Sequence, residues 1–186
     1  MKIICLEGCH GCGKSTIIKS LAAAGHDTLD EGFLDMPKFS LAPQSFTMET
    51  MWVLKWIERS LKIHQDNPDA VYFADRSPFS VLFYAPGGEK LLPVIIDMLK
   101  DLAAVGIEII VVYLRVDNNI LWDRIQKRLL VEPERVRYKE DKIEWMYNAI
   151  SFYERHLGLW DHVFNNGHEM PTAAIAAVGT IEQSHH

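Results

Sequence analysis

Short unbroken apolar runs alternate along this chain with longer stretches in which apolar residues return every third or fourth position. The first run, Ile3 to Leu6, predicts a strand covered on both faces. From Ser15 onward Ile17, Leu21 and Ala24 share one side with Ile18 and Ala22 beside them, a helix that Gly25 ends as C′ residue. Residues 27–31 predict a short strand ending in two carboxylates, Asp30 and Glu31. Residues 32–44 hold Phe33, Pro37, Phe39 and Pro43 without a period and predict a loop. Over 45–64, Met48, Trp52 and Trp56 form a helical stripe flanked by Val53, Ile57 and Leu61. Asn67, Pro68 and Asp69 then break the chain.

A second buried-type strand, 71–74, runs into Asp75, Arg76 and Ser77; Ser77 before Pro78 is an N-cap and N1 pair that starts another helix. Residues 91–105 return to helical spacing. Residues 107–114 are almost entirely β-branched and apolar, as a central parallel strand requires. Asp117 is placed to cap a helix carrying Leu121, Trp122, Ile125 and Leu129 inward, with Arg124 and Arg128 on another side. Residues 131–137 contain Pro133 and several charges and predict a mobile loop. A helix over 140–157, a strand at 162–164 and a closing helix at 172–181 complete the pattern. Five strands alternating with helices imply an α/β protein: one domain, 1–186, built as a three-layer sandwich around a five-stranded parallel sheet.

Composition narrows what such a domain does. A formal net charge of −6 argues against a surface that coats nucleic acid, and no apolar run approaches a membrane span. Lys2 leads directly into the first strand with no signal-peptide pattern, so a cytoplasmic protein is expected. Cys9 and Cys12 have the spacing of a redox pair or half a zinc site, but no second cysteine pair exists to complete four ligands, and free thiols are expected. Oligomeric state is left open, a homodimer included.

The chemistry begins at Gly8, Cys9, His10, Gly11, Cys12, Gly13, Lys14 and Ser15, which spell G-x-x-x-x-G-K-S between a strand and a helix. The glycines let backbone N–H groups converge on phosphate oxygens, and the helix dipole adds partial positive charge. Lys14 is expected to reach the β- and γ-phosphates of ATP and Ser15 to hold Mg²⁺, with Thr16 completing the segment. In open α/β sheets ligands lie beyond the carboxyl ends of the strands. Those ends supply Asp30, Glu31, Asp75, Arg76 and Arg115, a set of carboxylates and cations suited to phosphoryl transfer.

Residues 4–8 leading into Gly13, Lys14, Ser15 and Thr16 resemble the opening of deoxynucleoside kinases and thymidylate kinases. Asp75, Arg76 and Ser77 after Phe73 and Ala74 resemble the Glu-Arg-Ser and Asp-Arg-Tyr segments of those families. Arg124 and Arg128 after Val112, Tyr113 and Leu114 are similar to their arginine lid, here placed around 124–138. The resemblance implies Glu31 as general base, Asp75 as the carboxylate supporting Mg²⁺ through water, and Arg76 as the group holding acceptor and phosphate. It implies Arg124 and Arg128 as lid arginines, Arg124 on the nucleotide and Arg128 in catalysis. Phe33, Trp52, Arg59 and Arg76 are the acceptor-side candidates. The chain departs from these patterns at three places: His10 stands where thymidylate kinases carry an acid, Glu49, Trp52 and Arg59 stand on the second helix in place of the base-reading glutamine of deoxynucleoside kinases, and Leu130 replaces a third lid arginine. The implied activity is ATP- and Mg²⁺-dependent transfer of the γ-phosphoryl to a nucleoside or nucleoside monophosphate. A kinase of another small metabolite and a P-loop NTPase regulatory module are the alternatives.

Overall fold

The computed structural model describes residues 1–32 and 36–167. The expected closing helix at 172–181 and the candidate Phe33 lie outside the described residues. Five strands, β1 (Lys2–Glu7), β2 (Asp27–Leu29), β3 (Val71–Asp75), β4 (Glu108–Arg115) and β5 (His162–Asn165), form one parallel sheet in the order β2-β3-β1-β4-β5. The helices are α1 (Lys14–Ala23), α2 (Phe46–Asp66), α3 (Val81–Tyr84), α4 (Leu92–Ala104), α5 (Asn118–Val131) and α6 (Ile143–Arg155). Among the described residues no helix is long and apolar enough to cross a membrane.

The period of two along the strands explains why the central runs are apolar throughout. On β1, Ile3 and Cys5 face α2, α4 and the second half of α6, packing with Trp52, Trp56, Ile95, Leu102 and Phe152. Ile4 and Leu6 point the other way, into a cluster with Ile17, Leu21, Leu121, Ile125, Met146 and Ala149 from α1, α5 and α6. On β4 Val111 and Tyr113 belong to the first cluster and Ile110, Val112 and Leu114 to the second. Two covered faces leave no solvent side for a polar alternation. Each of the large aliphatic side chains and Phe152 among these contributes roughly 1.5–3 kcal/mol by leaving water.

Several elements differ from the sequence expectation at their ends. The second strand stops at Leu29 because the next two carbonyls are taken by side chains of α2: Arg59 Nη1 donates to Asp30 O (3.2 Å) and Trp52 Nε1 to Glu31 O (2.9 Å). Ser77 caps as expected, accepting from Phe79 N at 3.2 Å, but opens a 3₁₀ turn, Pro78–Ser80, ahead of the short α3. Asp117 sits at the N-cap of α5 without a side-chain cap bond; its backbone carbonyl accepts from Leu121 N at 2.9 Å. The segment expected as a mobile loop is a 3₁₀ helix, Pro133–Tyr138, because Arg135 bridges Glu132 and Glu140 across it. Those partners are set by the fold of α5 and the approach to α6, which a proline-interrupted charge run does not disclose.

The carboxyl end of β1 carries a buried charge. Glu7 is fully inaccessible and accepts hydrogen bonds from four donor groups, Ser77 N (2.8 Å), Ser77 Oγ (2.7 Å), Ser80 Oγ (2.8 Å) and Tyr153 OH (2.9 Å). One carboxylate thus ties the strand before the glycine loop to the turn after β3 and to α6. Glu7→Ala leaves these donors without an acceptor and should destabilise the fold by about 2–3 kcal/mol or more. Urea unfolding measures it, and an unchanged midpoint would show that the donors find other partners.

Candidate active site

The glycine loop between β1 and α1 is shaped by what lies beneath it. Gly8, Gly11 and Gly13 have φ of 140°, 80° and 104°, in the region that favours glycine. A Cβ at Gly8 would lie 2.8 Å from Leu114 O, at Gly11 2.8 Å from Ile125 Cγ1, and at Gly13 2.9 Å from Asn166 Nδ2. The loop is therefore pressed on β4, α5 and the residue after β5. Asn166 Nδ2 also donates to Cys12 O at 2.7 Å. Lys14 Nζ folds back to donate to Gly8 O (2.7 Å) and Cys9 O (3.2 Å), so its ammonium is already inside the loop. Cys5, Cys9 and Cys12 are buried free thiols.

Beside this cradle the ends of β2 and β3 bring four groups together. Ser15 Oγ donates to Asp75 Oδ2 at 2.6 Å. Arg76 Nη2 lies 3.1 Å from Glu31 Oε1, and the guanidinium sits over the Tyr84 ring at 4.4 Å. Arg76 has φ of 76° while its N–H donates to Leu6 O at 3.0 Å. A non-glycine residue in the left-handed region costs about 1–3 kcal/mol and turns the side chain out of line with the strand. Three polar atoms here are buried without a hydrogen-bond partner: His10 Nε2, Asp75 Oδ1 and Arg76 Nε. Buried polar atoms are normally satisfied, so three at one place indicate where a ligand completes the set.

Two cavities adjoin at these residues. One, of about 220 Å³, is lined by Gly11, Gly13, Lys14, Ser15, Thr16, Asp75 and Arg128. The other, of about 230 Å³, is lined by Glu49, Tyr84, Arg137, Tyr138 and Trp145. His10, Glu31, Arg76, Glu132, Arg135 and Glu140 line both. The structure thus brings Lys14, Ser15, Glu31, Asp75, Arg76 and Arg128 to one place. Arg124 lines neither cavity and donates from Nη2 to Gly167 O at 3.0 Å. Trp52 and Arg59 line a separate groove on the outer side of Glu31, where Arg59 Nη1 pairs with Asp30 Oδ1 at 2.8 Å. Both hold the backbone that carries Glu31.

Glu49 is a member of the second cavity that its own sequence position signals. It lies three residues before Trp52 on the buried stripe of α2 and is 3% exposed. Burial lifts its carboxyl to about 7, against the pull of Arg76 and with the help of Glu31. A carboxyl raised in the folded state lends its stabilisation fully below the unfolded value near 4.5 and loses it as pH rises through 7. Glu49→Gln should therefore gain on the wild type by up to about 3 kcal/mol between pH 4.5 and pH 8. Urea unfolding across that range tests this; a pH-independent difference would remove the buried-carboxyl assignment. Burial, with Lys14, Arg76, Arg128 and Arg135 nearby, lowers His10 to about 3 and keeps the imidazole neutral.

Residues 4–144 match the family model described as an AAA domain. No curated protein sequence matches the chain. Among solved structures the fold matches one titled deoxyadenosine kinase from M. mycoides with products dCMP and a flexible dCDP bound, at a TM-score of 0.58 and 19% identity, covering 99% of this chain and 100% of that one.

Proposed function

The chain belongs to the AAA domain family, and from that premise we propose that it is an ATP-dependent kinase that transfers the γ-phosphoryl group to the hydroxyl of a nucleoside. The observation that carries this reading is the pair of adjoining cavities, a phosphate cradle and a second chamber, that share Glu31 and Arg76 at their junction. A hydrolase needs one chamber and a water; transfer between two small molecules needs two that meet. The size of the second chamber and the products named in the similar structure support an acceptor of nucleoside dimensions.

The cradle's amides and Lys14 bind and orient the phosphates, while Arg76 and Arg128 lie where charge gathers as the phosphoryl group moves. Glu31, held by Arg76 through one oxygen, keeps its other oxygen to accept the proton of the attacking hydroxyl. The residues present fit a Mg²⁺ ion: Ser15 and Asp75 are already paired, and Asp75 Oδ1 is buried without a partner. No group of three or more His, Cys, Asp or Glu among the described residues could hold a metal, so the ion's remaining ligands would be phosphate oxygens and waters. When bound, it supplies charge neutralisation on the phosphates.

The second chamber favours an acceptor without its own phosphate. Five glutamates, Glu31, Glu49, Glu132, Glu134 and Glu140, face three arginines, Arg76, Arg135 and Arg137, along its wall. Arg59, the further cation a monophosphate would call on, is engaged with Asp30 in the outer groove. ATP consumption measured against a panel of nucleosides and nucleoside monophosphates tests the proposal. Consumption is expected only with acceptor present and only with nucleosides. Consumption without acceptor would mark a regulatory NTPase, and preference for a monophosphate would move the acceptor assignment.

A further inference from the structure

We propose that the His10 side chain is a neutral hydrogen-bond donor, through Nε2–H, to an oxygen of the transferring phosphoryl group. This rests on the kinase reading and adds a side-chain role to a loop position otherwise expected to serve through its backbone amide. His10 is 5% exposed yet lines both cavities, so its ring stands at the wall between donor and acceptor. Its Nδ1 lies 3.4 Å from Cys9 Sγ, and its Nε2 is buried with no partner. An unpaired polar atom enclosed in that position is costly in the free protein, and it is relieved only by something that enters the cavities.

The tautomer follows from the neighbours. Cys9 is buried, and burial pushes its thiol well above the ordinary range, so the sulfur keeps its proton. Two acceptors lie within reach of the S–H, Nδ1 at 3.4 Å and Met146 O at 4.0 Å; the nearer is Nδ1, and donation to it places the ring proton on Nε2. Lys14, Arg76, Arg128 and Arg135 act together against protonation of the ring. Those four cations also mark the place as one where anionic oxygens gather, so the group that meets Nε2–H is an acceptor oxygen of phosphate. A neutral donor has a use there that a fifth cation lacks: it adds a directed bond to the moving group without binding ground-state phosphate more tightly through net charge.

The test uses His10→Phe, which keeps the packed ring and removes the donor, and His10→Gln, whose amide N–H reaches the Nε2 position. With wild-type transfer established, His10→Phe should lower kcat by about 10²-fold with the KM for ATP nearly unchanged, and its melting temperature without ligand should equal or exceed the wild type. His10→Gln should restore most of the rate. Full activity of His10→Phe, or equal loss in both variants, would overturn the proposal. If the wild type transfers to no nucleoside the kinase reading fails, and the ring is then tested directly. Histidine ¹⁵N spectra should show a neutral Nε2–H tautomer whose proton moves downfield when a non-hydrolysable ATP analogue is added. A ring that carries its proton on Nδ1, or an Nε2 resonance that the analogue does not shift, would overturn it equally.

Discussion

Lys14→Met is expected to lower turnover by about 10²- to 10³-fold while the fold survives. Lys14 Nζ is held by Gly8 O and Cys9 O inside the loop, so the ammonium is positioned before any phosphate arrives. Methionine has nearly the same length and no charge. It leaves two carbonyls at a cavity wall, where water satisfies them, so melting should change little. The charge matters most when negative charge shifts towards the bridging oxygen, which places the loss in kcat more than in the KM for ATP. Steady-state kinetics beside a melting curve separate the two. A variant with normal turnover would dismiss the cradle as a catalytic element.

Glu31→Gln is the second large effect. A nucleoside hydroxyl is a poor acid, so removing its proton by a placed carboxylate accounts for about 10²- to 10⁴-fold in rate. The substitution is nearly isosteric and leaves the backbone pins from Trp52 and Arg59 untouched, since both reach main-chain carbonyls of this segment. The Arg76 contact weakens from ion pair to hydrogen bond but keeps its geometry. Transfer should fall by that factor while calorimetric binding of the nucleoside remains measurable, and Arg59→Ala should change the rate little. Retained transfer in Glu31→Gln together with lost monophosphate affinity in Arg59→Ala would assign the acceptor to the monophosphates.

The glycine loop, the order of strands and helices, and the placing of Asp75, Arg76 and Glu31 at or just beyond strand ends were legible in the chain because each is written in contiguous residues. A strand, a glycine turn and a helix start need only local conformation. The rest depends on contacts between distant segments. Glu7 stands at the end of an apolar run, and nothing nearby in sequence names Ser77, Ser80 and Tyr153 as its donors. Arg59 and Trp52 share the face of α2 that approaches Glu31, yet only the path of the 27–31 segment decides that they bind its carbonyls rather than face the second cavity. Arg135 converts a charge-rich stretch into a 3₁₀ helix through partners on either side of it. In each case the pattern supplied the chemistry and the tertiary path chose the partner.

The three supports under the glycine loop have a consequence for how ligand affinity is inherited. Because Gly8, Gly11 and Gly13 rest on Leu114, Ile125 and Asn166, the loop orders together with β4, α5 and the end of the sheet. Its loss of conformational freedom therefore falls on folding, and capture of a phosphate ligand carries little of it. Drift at Ile125 or Asn166 would return part of that freedom to the free protein and weaken capture, although neither residue needs to meet the ligand. Selection on nucleotide affinity thus acts on the packing beneath the loop as much as on the residues that line it.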